Sequence, residues 1–306
     1  MDLAITPLAG GFGARVETDL ARAAGTAAAG ALTDALHQHR VLVLPGQHLN
    51  HVDLLAAASL FGAVDTATDR RYTVPGFPGL TVVSNIHDQD GTPIGIYDGD
   101  QEEEWHADNS FKPELTAATL LYSVITPGQG GETRFADTTR AYADLPADLR
   151  ARIDGLSAVH SIQHLAKQQA EAAGGRSSTQ AGTLADLPEV IHPLAPIHPI
   201  TGARALLLGS MAIPRLEGLP DADGQALLAD LLARITGSNY LYTHRWDQGD
   251  LVVWDNLAVL HTASPCDSSR HPRLLLRAAV RQPTRRPGPS DGGIPMEPPT
   301  TAPDRH

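Results

Sequence analysis

The sequence predicts a mainly β fold with helical decoration, a β-sandwich or jelly roll, on three observations. The second half of the chain breaks into short apolar runs separated by turns, at 203–208, 240–246, 251–254 and Leu274–Arg281. Recurrent short strands of this kind mark sandwiches and barrels. Helical periodicity is concentrated in the first half, with one helix, Asp221–Ile235, among the later strands. Neither a Gly-x-Gly-x-x-Gly after a strand nor a Gly-x-x-x-x-Gly-Lys-Ser/Thr loop occurs, so a doubly wound nucleotide-binding fold lacks its signature.

Residues 26–40 are Ala-rich, with Leu32 and Leu36 at helical spacing, and predict a helix. Val41–Leu44 followed by Pro45-Gly46 predicts a short buried strand ending in a turn. Residues 50–61 form a second amphipathic helix with Asn50 as its N-cap. Strands follow at 80–86 and 116–126. Residues 164–188 are polar and weakly periodic and predict a lid loop. Residues 282–306 hold seven Pro and predict a disordered tail, leaving 1–281 as a single domain.

Composition narrows the function. The chain has 306 residues, with 23 Lys+Arg against 35 Asp+Glu and a net charge of −12. That balance argues against nucleic acid or anionic membrane as partners, since both rely on basic patches. No apolar run reaches the roughly 18 residues of a membrane span, and no signal peptide is expected at the N-terminus. The one cysteine, Cys266, excludes an internal disulfide. A cytoplasmic enzyme acting on a small molecule is the expectation, with room for a homo-oligomer. Of the fourteen aromatic residues, ten fall in the windows 97–142 and 240–254, so the large rigid side chains are concentrated there.

The first chemical signal is Trp105-His106-Ala107-Asp108. In an extended segment residues i and i+2 share a side, so His106 and Asp108 can converge on one atom. A second His would complete the two-His, one-carboxylate face used by non-haem Fe(II) oxygenases, and His261 follows the apolar run 251–260. Arg273 and Arg277 lie four apart among Leu and Ala, on one face of a strand. Guanidinium groups on an apolar strand need anionic partners.

With these motifs the chain resembles the taurine dioxygenase family of Fe(II)/2-oxoglutarate-dependent oxygenases. The resemblance is carried by Trp105-His106-x-Asp108, Gly130-Gly131-Glu132-Thr133, His198-Pro199-Ile200-Thr201-Gly202, Trp254-Asp255-Asn256 with His261, and Arg273-x-x-x-Arg277, in consistent order over roughly residues 3–281. It implies a double-stranded β-helix core, iron held by His106, Asp108 and His261, and 2-oxoglutarate and O2 as co-substrates. It further implies that Arg273 and the Thr133 hydroxyl hold the distal carboxylate of 2-oxoglutarate, and that Arg277 meets an anionic group of the substrate. Halogenating relatives lack the carboxylate found here at Asp108, so oxygen chemistry is expected. Leu257 stands where the family commonly has Arg, and the interval from His261 to Arg273 is twelve, one more than in taurine-oxidising members.

Arg277 favours a small carboxylate-bearing metabolite, with specialised metabolism as the lead setting and hydroxylation as the default outcome; desaturation and epoxidation stay open. The runner-up is catabolic cleavage of a sulfonate, alkyl sulfate or aryloxy acid. A non-catalytic binding protein on the same fold is the rival of another class. Tyr97, Phe111 and Met211 are candidate apolar walls of the substrate pocket. The acidic run 98–104 is either a solvated loop or, through Glu102, a face turned to the substrate.

Overall fold

A computed structural model describes residues 3–23, 28–97, 99, 102–172, 187–209 and 212–281. Among them, the strands are β1 (Ala4–Pro7), β2 (Ala14–Glu17), β3 (Val41–Leu44), β4 (Ala63–Val64), β5 (Thr73–Val74), β6 (Phe77–Ser84), β7 (Thr116–Ile125) and β8 (Thr133–Asp137). They continue with β9 (Ser157–His160), β10 (Val190–Pro193), β11 (Arg215–Leu216), β12 (Leu241–His244), β13 (Leu251–Asp255), β14 (Val259–Ala263) and β15 (Leu274–Arg281). Nine of them form one large sheet, ordered β1-β2-β3-β13-β7-β15-β6-β5 with β4 on β15. A three-stranded sheet, β12-β8-β14, faces it, and a third sheet is ordered β10-β9-β11. Pairing is antiparallel throughout except between β2 and β3. This is the jelly-roll core the sequence predicts.

Alternation along the strands explains the layering. On β3, Leu42 and Leu44 join a core with Leu32 and Leu36 of the helix Ala28–His39 and Leu54 of the helix His51–Ser59, whereas Val41 and Val43 point the other way. On β13, Leu251 and Val253 face the helices, while Val252 and Trp254 face Phe135 and Val259 of the small sheet. A strand buried on both faces reads as an unbroken apolar run. The outer face of the small sheet, with Ala136 and Leu260, packs under Leu227, Leu231 and Ile235 of the helix Asp221–Ile235. The gap between the two sheets is where β8, β14 and β15 aim every second side chain, and it holds the site.

Most expected elements are present, with shifted ends. Asn50 caps its helix, its side chain accepting from Val52 and Asp53 while Asp53 returns a bond to the Asn50 N–H. Two expectations differ. Residues 203–208 form only an isolated bridge, Arg204 with Ile197: the Ala205 and Leu207 N–H groups reach Pro196 and Leu194, while the Leu206 N–H turns to Thr138. Part of the expected loop at 164–188 is the helix Ile162–Ala172, which buries Ile162 and Ala166 and starts at Ser161, whose hydroxyl and carbonyl accept from His164 and Leu165. Residues 173–186 of that loop and the tail 282–306 lie outside the described residues. No helix among the described residues is long and apolar enough to cross a membrane.

Candidate active site

His106 lies outside the named strands, yet its backbone pairs with His261 of β14 in an isolated antiparallel bridge. In a pair of this type both side chains stand on one face, and the two rings sit with centroids 4.2 Å apart. Two residues on, Asp108 is fixed by Asn256, the residue just after β13. The Asn256 side-chain oxygen accepts from the Asp108 N–H at 2.8 Å, and its amide donates to the carbonyls of Asp108 and Thr116, each at 3.1 Å.

The carboxylate of Asp108 is divided between two neighbours. Its Oδ2 accepts from the Thr119 hydroxyl at 2.8 Å and lies 3.9 Å from His261 Nε2, while its Oδ1 accepts from Arg277 at 2.9 Å. Burial pushes this carboxyl up, but Arg277, the two imidazoles and the Thr119 hydroxyl outweigh it and hold the pKa at about 2. Burial, reinforced by His106, drives His261 down to about 3. An ionised carboxylate beside a neutral imidazole is the protonation state a metal requires. His106 Nδ1 lies 2.7 Å from the Glu104 carbonyl, an arrangement in which Nδ1 donates and Nε2 keeps a free lone pair. His106, Asp108 and His261 can each bring a ligand atom within 4.8 Å of the others. The donor set and its protonation fit a divalent iron ion.

A second group, His37, His198 and Asp255, meets the same distance criterion but not the chemical one. His198 Nδ1 accepts from the N–H groups of Ile200 (3.2 Å) and Thr201 (3.1 Å). The ring proton therefore sits on Nε2, which faces Asp255 Oδ1 at 3.3 Å and Oδ2 at 3.0 Å. Neither nitrogen has a lone pair left for a metal. The turn instead orients Asp255, next to Asn256.

Beside the two histidines is an anion site. Arg273 precedes β15 and is 1% exposed, yet its Nε and one terminal nitrogen find no partner. Its guanidinium lies 4.5 Å over the Tyr97 ring, and the Tyr97 hydroxyl donates to the Ser264 carbonyl at 2.6 Å. Asn85 accepts from the Arg273 N–H, and the Ser84 hydroxyl donates to its carbonyl. Gly131, at φ 69°, allows close approach: a Cβ there would stand 3.0 Å from Arg273 Cδ. Thr133 is 2% exposed, and its hydroxyl accepts from Trp246 Nε1 at 3.1 Å. A buried cation without a counter-ion is costly unless an anion arrives, so the pocket fits the carboxylate of a keto acid.

The other candidate residues are scattered. Tyr97 is buried, with the Arg273 guanidinium over its ring. Phe111 is half-buried in the turn after Asn109, itself at φ 54°. Met211 lies outside the described residues, as do Asp98 and Asp100. Glu102 forms an ion pair with Arg134, whose guanidinium also covers the Trp105 ring at 5.4 Å. Arg134 falls between Thr133 and Phe135 on β8, so it and Glu102 are on the outer face of the small sheet, away from the pocket. The solvated-loop reading of the acidic run fits this placement. Thr119 and Trp246 were missed as site residues. Thr119 had a signal in retrospect: a hydroxyl two positions from Leu121, which is paired with Arg277 across β7 and β15.

Comparison with known proteins follows from this geometry. A family model, "Taurine catabolism dioxygenase TauD, TfdA family", matches residues 4–279. The alpha-ketoglutarate-dependent 2,4-dichlorophenoxyacetate dioxygenase of Cupriavidus pinatubonensis is 33% identical over 289 residues, 92% of this chain and 98% of that protein. Pentalenolactone F synthase of Streptomyces avermitilis is 33% identical over 256 residues, covering 80% of this chain and 82% of that one. Among solved structures, AAD-2 in complex with Mn(II) and N-oxalylglycine superposes with a TM-score of 0.75 at 27% identity, over 93% of this chain and 99% of that chain.

Proposed function

This chain belongs to the taurine catabolism dioxygenase TauD, TfdA family, and on that premise we propose that it oxidises a small carboxylate-bearing metabolite, by hydroxylation as the default outcome. It is an Fe(II)- and 2-oxoglutarate-dependent dioxygenase. Bound iron supplies the redox chemistry, in which O2 converts 2-oxoglutarate to succinate and CO2 and a hydrogen is removed from the substrate.

In our reading His106, Asp108 and His261 hold the metal, and Arg273 with Thr133 holds the distal carboxylate of 2-oxoglutarate. The observation that carries it is Arg273, a fully buried guanidinium whose Nε and one terminal nitrogen have no partner among the described residues, in a chain that also assembles the His–Asp–His group. Charge-assisted hydrogen bonds there are worth on the order of 1.5–3 kcal/mol each. Arg273 and Thr133 orient the keto acid, while Asp108 stays ionised and His261 neutral.

Arg277 supports the substrate class. It follows Leu275 on the inner face of β15, gives one donor to Asp108, and is partly exposed, so the rest of its five-donor fork is free for an anion. The 2,4-dichlorophenoxyacetate dioxygenase is named for an aryloxy carboxylic acid, which supports a carboxylate substrate, and pentalenolactone F synthase is named for a biosynthetic product, which supports the specialised-metabolism setting. The second reading, catabolic cleavage of a sulfonate, alkyl sulfate or aryloxy acid, uses the same cation. We place the enzyme in the cytoplasm, in keeping with its single cysteine, Cys266, a buried free thiol.

The test is succinate release across matched carboxylates, sulfonates, alkyl sulfates and carboxamides on shared carbon skeletons. Carboxylates should give the highest kcat/KM and carboxamides almost none. Faster turnover of the sulfonates or sulfates would overturn the preference for carboxylates.

A further inference from the structure

We infer that Trp246 is a positioning residue for 2-oxoglutarate, acting through the Thr133 hydroxyl. The inference rests on the reading that Thr133 and Arg273 hold the keto-acid carboxylate. A hydroxyl has one hydrogen to give and lone pairs to receive with. An indole N–H can only donate, and that of Trp246 points at Thr133 Oγ1 from 3.1 Å, with both residues buried. The Thr133 oxygen is thereby used as an acceptor. Its own hydrogen has no acceptor among the described residues and is left for an incoming oxygen atom. Donation by the indole also polarises the hydroxyl and strengthens its donation onward.

The surroundings hold this arrangement in place. The His244 ring meets the Trp246 ring edge-on, with centroids 4.5 Å apart and planes at 86°. His244 is itself held on one side: Nδ1 lies 3.0 Å from the Tyr242 hydroxyl, while Nε2 lies 3.2 Å from Asp250 Oδ2 without forming a hydrogen bond. His244 is also the residue paired with Thr133 across β12 and β8. The strand pair that places Thr133 thus also places the ring that orients its donor. On the reading that Thr133 and Arg273 hold one carboxylate, the unspent hydroxyl hydrogen of Thr133 adds a donor to those of Arg273, and Trp246 decides where that donor is available.

The test uses full-length protein loaded with Mn(II), with calorimetric titration of N-oxalylglycine, a non-reacting analogue of 2-oxoglutarate. Trp246→Phe keeps an aromatic ring and removes the N–H; Thr133→Val removes the hydroxyl at constant shape. Each single change should weaken binding by roughly 3- to 10-fold, the loss of one buried hydrogen bond. The double variant should bind no worse than Thr133→Val, because the indole acts only through the hydroxyl. In turnover assays with Fe(II), Trp246→Phe should raise KM for 2-oxoglutarate and leave kcat at saturation and KM for the substrate near wild type. If Trp246→Phe does not fold, replacement of Trp246 by benzothienylalanine, which exchanges the N–H for sulfur at nearly constant shape, carries the same expectation. Unchanged binding in the Trp246 variant beside a loss in Thr133→Val, or losses that add in the double variant, would overturn the inference. Unchanged binding in Thr133→Val would instead overturn the reading of Thr133 on which it rests.

Discussion

His106 and His261 each donate a backbone hydrogen bond to the other's carbonyl, at 3.0 and 2.9 Å. The two imidazoles are placed side by side by main-chain pairing and not by anything their rings do. Ring chemistry and folding should therefore separate on mutation. His106→Ala keeps both backbone bonds, so its melting temperature should stay within a few degrees of wild type. The visible charge-transfer band that forms on anaerobic addition of Fe(II) and 2-oxoglutarate should vanish, and Mn(II) affinity should fall by at least roughly 100-fold. A persistent band in well-folded His106→Ala would remove this residue from the ligand set.

Asn256, 1% exposed, holds Asp108 by two hydrogen bonds and ties it to Thr116 by a third. Asn256→Ala strands buried backbone groups of Asp108 and Thr116. It should destabilise the fold by about 2–4 kcal/mol in urea unfolding and weaken metal binding by roughly 10- to 100-fold. Loss of stability with unchanged metal affinity would mean that Asp108 keeps its place without the clamp.

Arg273 trades stability for function. Arg273→Met exchanges a buried, half-satisfied cation for an apolar side chain of similar length. In the absence of 2-oxoglutarate the variant should be at least as stable as wild type, because the desolvation cost disappears. Binding of 2-oxoglutarate should fall on the order of 100-fold. A marked drop in the urea midpoint would show instead that stacking on Tyr97 outweighs the cost of burying the charge.

His160 supplies a pH prediction away from the iron site. It is fully buried on β9, neither ring nitrogen has a partner, and burial, aided by the neighbouring His192, lowers its pKa to about 3. Its folded pKa lies below the unfolded value near 6.5, so the unfolded chain binds the extra proton. The stability it contributes is complete above pH 6.5, declines as pH falls, and is lost by about pH 3. His160→Leu should flatten the fall in urea midpoint between pH 6.5 and 4 relative to wild type. Parallel midpoints for the two proteins across that range would show that His160 does not carry the acid sensitivity.

What could be read from the sequence is what repeats with a period or needs a particular chemistry. Arg273 and Arg277 share a face because strands alternate, and β15 covers the expected Leu274–Arg281. His106 and Asp108 flank a single residue, and that spacing alone put them on one side. What stayed hidden depends on neighbours distant in the chain. The run 203–208 has strand composition but divides its hydrogen bonds between residues 194–198 and Thr138. The helix Ile162–Ala172 looks like a loop because its sequence is mostly polar and its cap, Ser161, precedes it. Tyr97 gives no sign that Arg273, 176 positions later, lies against its ring. Trp246 gives no sign of its partner Thr133, 113 positions away.

The His198 turn has one more meaning. Its ring faces Asp255, the next residue is Asn256, and Asn256 holds the backbone of Asp108. The Asp108 carboxylate is thus steered from outside the pocket, by a turn whose Ile200 is largely solvent-exposed. Anyone wishing to retune the proposed iron site has a handle there, two hydrogen-bonded steps from the Asp108 backbone.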